Sequence, residues 1–130
     1  MQKNNVIRNE NGQTMVEFAL VLPVLAVLLF GIIQFGTAFN NYVSLTDAVR
    51  AGARVAAVSR QSSDPVGNTV AKVKASATDI DTSQVNVSVN SDWVHGDDVT
   101  VKATYPYSIS LLGVVVASGD LTSTTTERVE

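Results

Sequence analysis

The 130-residue chain is 45% apolar and only 16% charged, with a formal net charge of −3 and no cysteine. Charged residues are absent between Glu17 and Asp47, which excludes a single water-soluble domain with an evenly charged surface. The acidic balance argues against a nucleic-acid-binding protein, because binding to phosphates needs clustered lysine and arginine, and a chain without cysteine has no disulfide or thiolate metal site.

A short polar leader, residues 1–12, precedes the uncharged stretch and ends at Gly12. If the bond after Gly12 is cut, Gln13 provides a new α-amino group, and Glu17 becomes the fifth residue, one helical turn away. An amine and a carboxylate at this spacing can pair, and the helix dipole also favours a carboxylate near a helix N-terminus. Glu17 is therefore either an assembly residue or an ordinary acid at the membrane interface.

The stretch from Phe18 to Phe39 is 22 residues long, and its polar side chains are limited to Gln34 and Thr37. As a helix it spans about 33 Å, enough to cross a hydrocarbon layer of about 30 Å. A cleaved secretory signal is excluded because its apolar region would be shorter. A buried core helix is excluded because residues 61–130 are too few to cover this helix on all sides. The sequence therefore predicts a transmembrane helix, in which Pro23 favours a kink or a local loosening.

Positive charges flank the predicted span on both sides. Lys3 and Arg8 precede it, whereas Arg50, Arg54 and Arg60 follow it. Cytoplasmic segments next to a span carry an excess of lysine and arginine, and this rule is consistent with either flank lying in the cytoplasm. The charge distribution alone leaves the orientation open.

Small residues recur at every fourth position beyond the span, at Ala48, Gly52 and Ala56. A row of this kind lets a second backbone approach the helix closely. Glycine costs about 1 kcal/mol relative to alanine inside a helix, which favours a packing role for Gly52. We interpret the row as a helix-packing groove that receives either the domain formed by residues 69–130, here called the distal domain, or a neighbouring subunit. On another face, Asp47 and Arg50 are spaced for an exposed ion pair.

The remaining residues predict a small domain. Residues 59–68 are polar and contain Pro65 and Gly67, so they are predicted to be a linker at which the long helix stops. A short helix is predicted next, followed by three strands of an antiparallel meander. The predicted ranges are 69–78 for the helix and 85–89, 99–105 and 121–129 for the strands, the second of which is expected to end at Tyr105–Tyr107.

The apolar run Leu111–Ala117 is either a fourth strand, which we expect to be buried, or an exposed apolar loop that needs a partner or a membrane surface. A small sheet without disulfides is marginal alone, so we expect it to pack on the helix of residues 45–58. The predicted fold class is α+β. A long N-terminal transmembrane helix, residues 13–58, is followed by a small antiparallel β domain, residues 69–130, packed on the helix's outer half.

No catalytic or metal site is predicted. His95 is the only histidine, and neither a serine triad nor a two-histidine metal site can be built around it. Asp79, Asp81 and Ser83 begin like a calcium-binding loop, but the glycine and the final glutamate of such a loop are missing. We therefore predict no cofactor and no enzyme activity.

The N-terminal motif and the helix together resemble a known family. Residues 12–36, GQTMVEFALVLPVLAVLLFGIIQFG, and residues 45–58, LTDAVRAGARVAAV, are similar to the TadE-like proteins of the tight-adherence (Flp, type IVc) pilus system. A weaker similarity extends to the end of the chain. Gly12, Glu17 and Phe18 match the family's processing pattern, in which a glycine is followed by four residues, a glutamate and an aromatic residue.

The resemblance implies a minor pilin or pseudopilin, used in adhesion, whose leader is removed by a type IV prepilin peptidase between Gly12 and Gln13. The implied partners are the peptidase, other pilin subunits, the inner-membrane assembly platform and the lipid bilayer. The N-terminus would face the cytoplasm, and the acidic domain would face outward from the cytoplasmic membrane or within a surface pilus. The alternatives are a main filament subunit, although the family's principal pilins are much shorter, and a single-pass anchored binding module whose leader is never cut.

Overall fold

The computed structural model describes residues 10–111 and 113–130, and this part of the chain forms two helices and a three-stranded sheet. In chain order the elements are α1 (Glu10–Val58), α2 (Pro65–Ser76), β1 (Asn86–Asn90), β2 (Asp98–Leu111) and β3 (Val114–Arg128). The predicted α+β class, with a long apolar helix before a small antiparallel sheet, is confirmed. Most of the predicted leader, residues 1–9, lies outside the described residues.

Helix α1 is 49 residues long, which corresponds to about 73 Å. It continues through Pro23 as one α-helix. Within the described residues it is the one helix that is long and apolar enough to cross a membrane, and none of its most apolar window is buried by the rest of the chain. Its apolar N-terminal half is therefore free to contact lipid or other helices.

The C-terminal half of α1 is covered by the distal domain. Leu45 and Val49 are completely buried there, and the last residue of the chain is tied to the same helix, because the Glu130 N–H donates to the Ala57 carbonyl at 2.9 Å. The core combines residues of α1, α2, the following loop and the sheet. Its members are Leu45, Ala48, Val49, Ala53, Ala56, Val73, Ala77, Ile80, Val85, Val99, Val101, Ala103 and Val129.

Helix α2 begins at Pro65, four residues before the predicted start and inside the predicted linker. The reason is a helix cap: Asp64 Oδ1 accepts a hydrogen bond from the Gly67 N–H at 2.8 Å, and Pro65 occupies the first turn, where a proline needs no amide partner. Thr69 and Val73 of α2 are buried. Proline and glycine in this segment thus mark the start of a helix, and the predicted linker, residues 59–68, gives way to α2 from Pro65 onward.

Replacing Asp64 by alanine is expected to lower the free energy of unfolding of the distal domain by about 1 kcal/mol, because the cap of α2 is lost. Asp64→Ser keeps an oxygen that can accept from the Gly67 N–H and should lose much less. Trp93, the chain's only tryptophan, packs against the core, so its fluorescence reports urea unfolding of the full chain in detergent micelles. Equal losses for the two variants would show that the hydrogen bond to the Gly67 N–H is not the cause of the loss.

The sheet has the order β1-β2-β3 with both pairs antiparallel. Asn86 lies opposite Thr104 in the first pair, and Asp98 lies opposite Arg128 in the second. Inward-facing residues of β2 alternate with outward-facing ones, as expected for a strand with one buried face. The buried residues of β2 are Val99, Val101 and Ala103.

Strand β2 does not end at Tyr105–Tyr107, contrary to the prediction, but runs through Pro106 to Leu111. Beyond Thr104 it has no pairing with β1 and remains paired only with β3. A proline is tolerated in such a segment because a strand with one free edge has amides that need no ladder partner. Strands β2 and β3 therefore form a hairpin that extends well past β1.

The apolar run Leu111–Ala117 forms the end of this hairpin. Leu111 closes β2, Gly113 adopts a φ of 86° in the turn, and Val114 begins β3. Val114, Val115 and Val116 are 66%, 60% and 55% exposed, so the expectation of a buried fourth strand is wrong. The strands extend beyond the core that β1 and α2 help to form, and at this end no described part of the chain covers the valines.

Candidate processing and assembly site

The bond between Gly12 and Gln13 lies within α1, two residues after Glu10, the first residue that the structure describes. A glycine weakens a helix by about 1 kcal/mol relative to alanine. Gly12 thus lowers the free energy that is needed to unwind the helix at this bond.

Gln13 and Glu17 contact each other across one turn of α1. Gln13 Nε2 donates a hydrogen bond to Glu17 Oε1 at 3.1 Å, and both side chains are exposed. If the chain were cut after Gly12, the new α-amino group of Gln13 would lie at the head of the same helix. A charged amine is a stronger partner for a carboxylate than a side-chain amide. Glu17 is therefore available to an amine of its own chain or of a neighbour.

Phe18 belongs to an apolar helical surface that the described parts of the chain leave mostly uncovered. Its side chain is 63% exposed, and large apolar side chains remain exposed along α1 as far as Val43. Gly31 and Gly36 lie in this stretch, and a Cβ built at either glycine would meet nothing. Contiguous apolar surface of this extent marks a site that lipid or another protein covers. Glu17 lies within the N-terminal part of that surface, between Val16 and Phe18.

Ala48, Gly52 and Ala56 lie on the opposite end of α1 and are buried by the chain's own distal domain. A Cβ at Gly52 would collide with Val73 Cγ2 and lie 3.5 Å from the Thr69 carbonyl oxygen. Both atoms belong to α2. Of the two occupants considered for this groove, α2 is the one found there in the isolated chain.

The charged side chains beyond the groove are exposed. Arg50 Nη1 lies 3.6 Å from Asp47 Oδ1, with both side chains more than 60% exposed, and such pairs contribute only about 0.2–1 kcal/mol. His95 is also exposed and lines a cleft at the far end of the domain with Arg54 and Glu127. Neither feature contacts the N-terminal motif.

The segment that begins like a calcium loop forms a hydrogen-bonded turn. Asp81 Oδ1 accepts from the hydroxyl and the N–H of Ser83 at 2.6 and 3.0 Å, and Asp81 Oδ2 accepts from Gln84 Nε2 at 3.0 Å. The Ser83 hydroxyl, and then its N–H and the Gln84 amide, hold the pKa of the Asp81 carboxyl below its usual value. Within residues 10–111 and 113–130, no three acidic or histidine side chains are grouped as metal ligands.

Gln34 makes a contact that the sequence pattern does not predict. Its Nε2 donates to the Ser110 carbonyl at 3.2 Å in a part-buried contact, which ties the apolar half of α1 to the end of the hairpin. A lone amide in an apolar span was the available signal, because polar side chains in such segments pair with a partner. The partner, 76 residues away in sequence, was not predictable from local pattern.

The comparisons with known proteins place the similarity at the N-terminal motif and α1. A family model described as TadE-like protein matches residues 12–54, about a third of the chain. The match begins at Gly12, includes Glu17 and the whole apolar stretch, and ends beyond Gly52, which confirms the resemblance for this segment. No curated protein and no solved structure matches the chain.

Proposed function

We propose that this chain is a TadE-like minor pilin or pseudopilin, stored in the cytoplasmic membrane and processed by a type IV prepilin peptidase before it joins a tight-adherence pilus. One observation carries the proposal: the segment that matches the TadE-like family coincides with a helix whose apolar half is left uncovered by the chain's own domain. Within that segment, Gly12, Glu17 and Phe18 stand at the family's spacing.

In this function the apolar half of α1 moves from contact with lipid to contact with protein. In the membrane its side chains contact lipid, and in a pilus the same side chains pack against the helices of other subunits. The exchange of lipid for protein brings little hydrophobic gain, so packing and polar pairing must direct it. Glu17 supplies the polar pairing, with the α-amino group that cleavage creates on a neighbouring subunit.

The distal domain adopts the orientation that the family implies, outside the cytoplasm, while the leader faces the prepilin peptidase. The core of the domain includes only the C-terminal half of α1. The N-terminal half of α1 can therefore move from lipid to protein surroundings without loss of the domain's packing. We assign no catalysis to the chain itself. The peptidase cuts the leader, and the assembly platform in the inner membrane and other pilin subunits act on the cut chain.

Cleavage is tested by expressing the full chain with and without a cognate prepilin peptidase and determining the amino terminus of the membrane-bound product. With the peptidase, the chain is expected to begin at Gln13. Gly12→Val is expected to reduce the cleaved fraction at least tenfold, because a branched side chain obstructs the peptidase at the cut bond. Gly36→Val is the matched control: it makes the same change in the same helix, at a position with open space, and should be cut normally.

Four results separate the alternatives. A chain that still begins at methionine in natural pili would refute processing, and a chain that is never cut would favour the anchored binding module. Comparable cleavage of the Gly12→Val and Gly36→Val chains would show that Gly12 is not the recognised residue. The copy number of the cut chain per pilus distinguishes a minor subunit from a main one.

A further inference from the structure

The end of the β2–β3 hairpin is an uncharged, exposed and apolar surface. No charged residue occurs between Lys102 and Asp120. We define the hairpin tip as residues 109–111 and 113–117. Its most exposed apolar side chains are the valines at 114, 115 and 116, each more than half exposed.

The hairpin runs along α1 toward the N-terminus of the helix. At one end of the domain the Glu130 N–H is bonded to the Ala57 carbonyl, and at the other Gln34 Nε2 is bonded to the Ser110 carbonyl. From Ala57 to Gln34 the helix spans about 35 Å, and from Asp98 to Ser110 the strand spans about 40 Å. The similar lengths show that the hairpin lies nearly parallel to α1, with its tip beside the apolar half.

The tip is level with the uncharged part of α1. Gln34, Ala38 and Asn41 are partly buried on one helix face, whereas most of their neighbours are exposed, and the three line a cleft with residues 105–108 of the hairpin. This pattern is the footprint of the hairpin. A hydrocarbon layer of about 30 Å that begins at Phe18 takes in about 20 helical residues. Gln34 and the tip then lie inside the boundary of that layer, on the side of the distal domain.

The chain's three tyrosines mark the same boundary. They are Tyr42, Tyr105 and Tyr107. Tyr42 and Tyr107 line one cleft between α1 and the hairpin, and Tyr105 and Tyr107 line the adjacent cleft. Tyrosine is enriched at membrane–water interfaces, because its ring is apolar and its hydroxyl is polar. The hairpin tip lies beyond the tyrosines, on their membrane side.

The hydrogen bond from Gln34 makes this position compatible with lipid. An open sheet edge is costly in hydrocarbon because its N–H and C=O groups lack partners. A register shift between Ile109 and Ser110 interrupts the ladder there, and Gln34 supplies a donor to the Ser110 carbonyl at that point. Because the described residues offer no such donor to the rest of the hairpin edge, the tip belongs at the boundary of the layer and not in its centre.

We propose that the hairpin tip inserts into the boundary of the lipid bilayer on the side of the distal domain, beside α1, as a second membrane contact of this chain. The inference rests on the proposed membrane placement of α1. A second contact, some distance from the helix axis, holds the distal domain in one orientation against the membrane. Incorporation into a pilus then requires that the tip leave the lipid together with α1.

The test uses single cysteines, which the natural chain lacks. The full-length Val115→Cys chain is labelled with an environment-sensitive fluorophore and reconstituted into phosphatidylcholine vesicles with nitroxide on the acyl chains, near the headgroup in one sample and near the chain ends in a second. Phe30→Cys, in the middle of α1, is the membrane reference, and Thr124→Cys, on the exposed part of β3 near the core, is the aqueous reference. Val114→Cys is a second probe of the tip, and Trp93 fluorescence checks folding of every chain.

We expect labels at 114 and 115 to be quenched several-fold more strongly by the nitroxide lipids than the label at 124, and to be protected from aqueous iodide. If both tip labels behave like the label at 124 while the label at 30 is quenched by lipid, the tip contact is refuted and the membrane placement of α1 stands. If the label at 30 is not quenched by lipid, both proposals fail. Tip labels protected from iodide and from lipid alike would mean that protein, such as a second copy of the chain, covers the tip, and would overturn the proposal.

Discussion

A Glu17→Gln chain is expected to enter the membrane and lose its leader normally, but to be incorporated into pili at least tenfold less than the natural chain. In the proposed assembly, Glu17 meets the α-amino group of a neighbouring subunit among apolar helices. Removal of one member of a buried ion pair costs about 3–5 kcal/mol, because the other charge is left unpaired. Since about 1.4 kcal/mol corresponds to a factor of ten, even a partly hydrated pair gives a large loss.

The substitution isolates the charge of the side chain. Glutamine has the size of glutamate and keeps an oxygen that can accept the hydrogen bond from Gln13 Nε2. Incorporation is measured as the amount of chain in sheared pili relative to the amount in membranes of the same cells. Glu10→Gln removes the same charge from the leader, which cleavage discards, and should leave incorporation unchanged. Normal incorporation of the Glu17→Gln chain would eliminate the pairing role.

The long helix was predictable because its signals are local and mutually consistent. The uncharged stretch after Glu17, the length of the apolar run and the small residues around Gly52 all lie on one element, and each follows from helical periodicity or from bilayer dimensions. A close packing partner for Gly52 was also predictable, since a glycine in a helix interior needs a packing reason. That this partner is α2 was not predictable, because its residues lie on another element.

The hairpin was less predictable because its extent depends on a distant contact. Pro106 predicted the end of a strand, and the apolar run after it predicted a separate, buried strand. In the structure, Pro106 lies where β2 has lost β1 as a neighbour, and the valines follow α1 beyond the core. A rule that places prolines at strand ends is weak where a strand has a free edge. Contacts between distant residues, such as the Gln34–Ser110 hydrogen bond, reveal where the hairpin lies.

The two halves of α1 therefore have different requirements, and the candidate site uses both. Around Glu17 the surface must stay uncovered by the chain itself, so that lipid and then other helices can contact it. Around Gly52 the surface must be covered tightly, since a domain of this size without disulfides has little stability to lose. Variants at the two ends are expected to separate assembly from folding.

Gly52→Val is expected to lower the free energy of unfolding of the distal domain by about 3 kcal/mol or more. Even a Cβ at this position would collide with Val73 Cγ2, and valine adds two further methyl groups. Overpacking of a core typically costs about 1–3 kcal/mol, and here α2 would have to move away from α1 as a whole. Urea unfolding of the full chain in detergent micelles, followed by Trp93 fluorescence, measures the loss.

Gly36→Val is the control for the change in helix propensity and apolar area. It lies on the same helix, with nothing near the position of its Cβ, so its effect on the distal domain should be within about 0.5 kcal/mol of zero. If the two variants were equally stable, the close contact between Gly52 and α2 would not be a determinant of the fold.

A double-mutant cycle locates the effect at one contact. Gly52→Ala alone brings the single methyl group into collision with Val73, whereas Val73→Ala alone removes about 2 kcal/mol of buried apolar contact and leaves a cavity. In the combined chain the new methyl group occupies part of the space that the valine vacates. The double variant is therefore expected to be more stable than the sum of the single losses predicts, by about 1 kcal/mol or more. Strict additivity would mean that α2 yields to the added methyl group elsewhere, and that the small-residue row tolerates substitution.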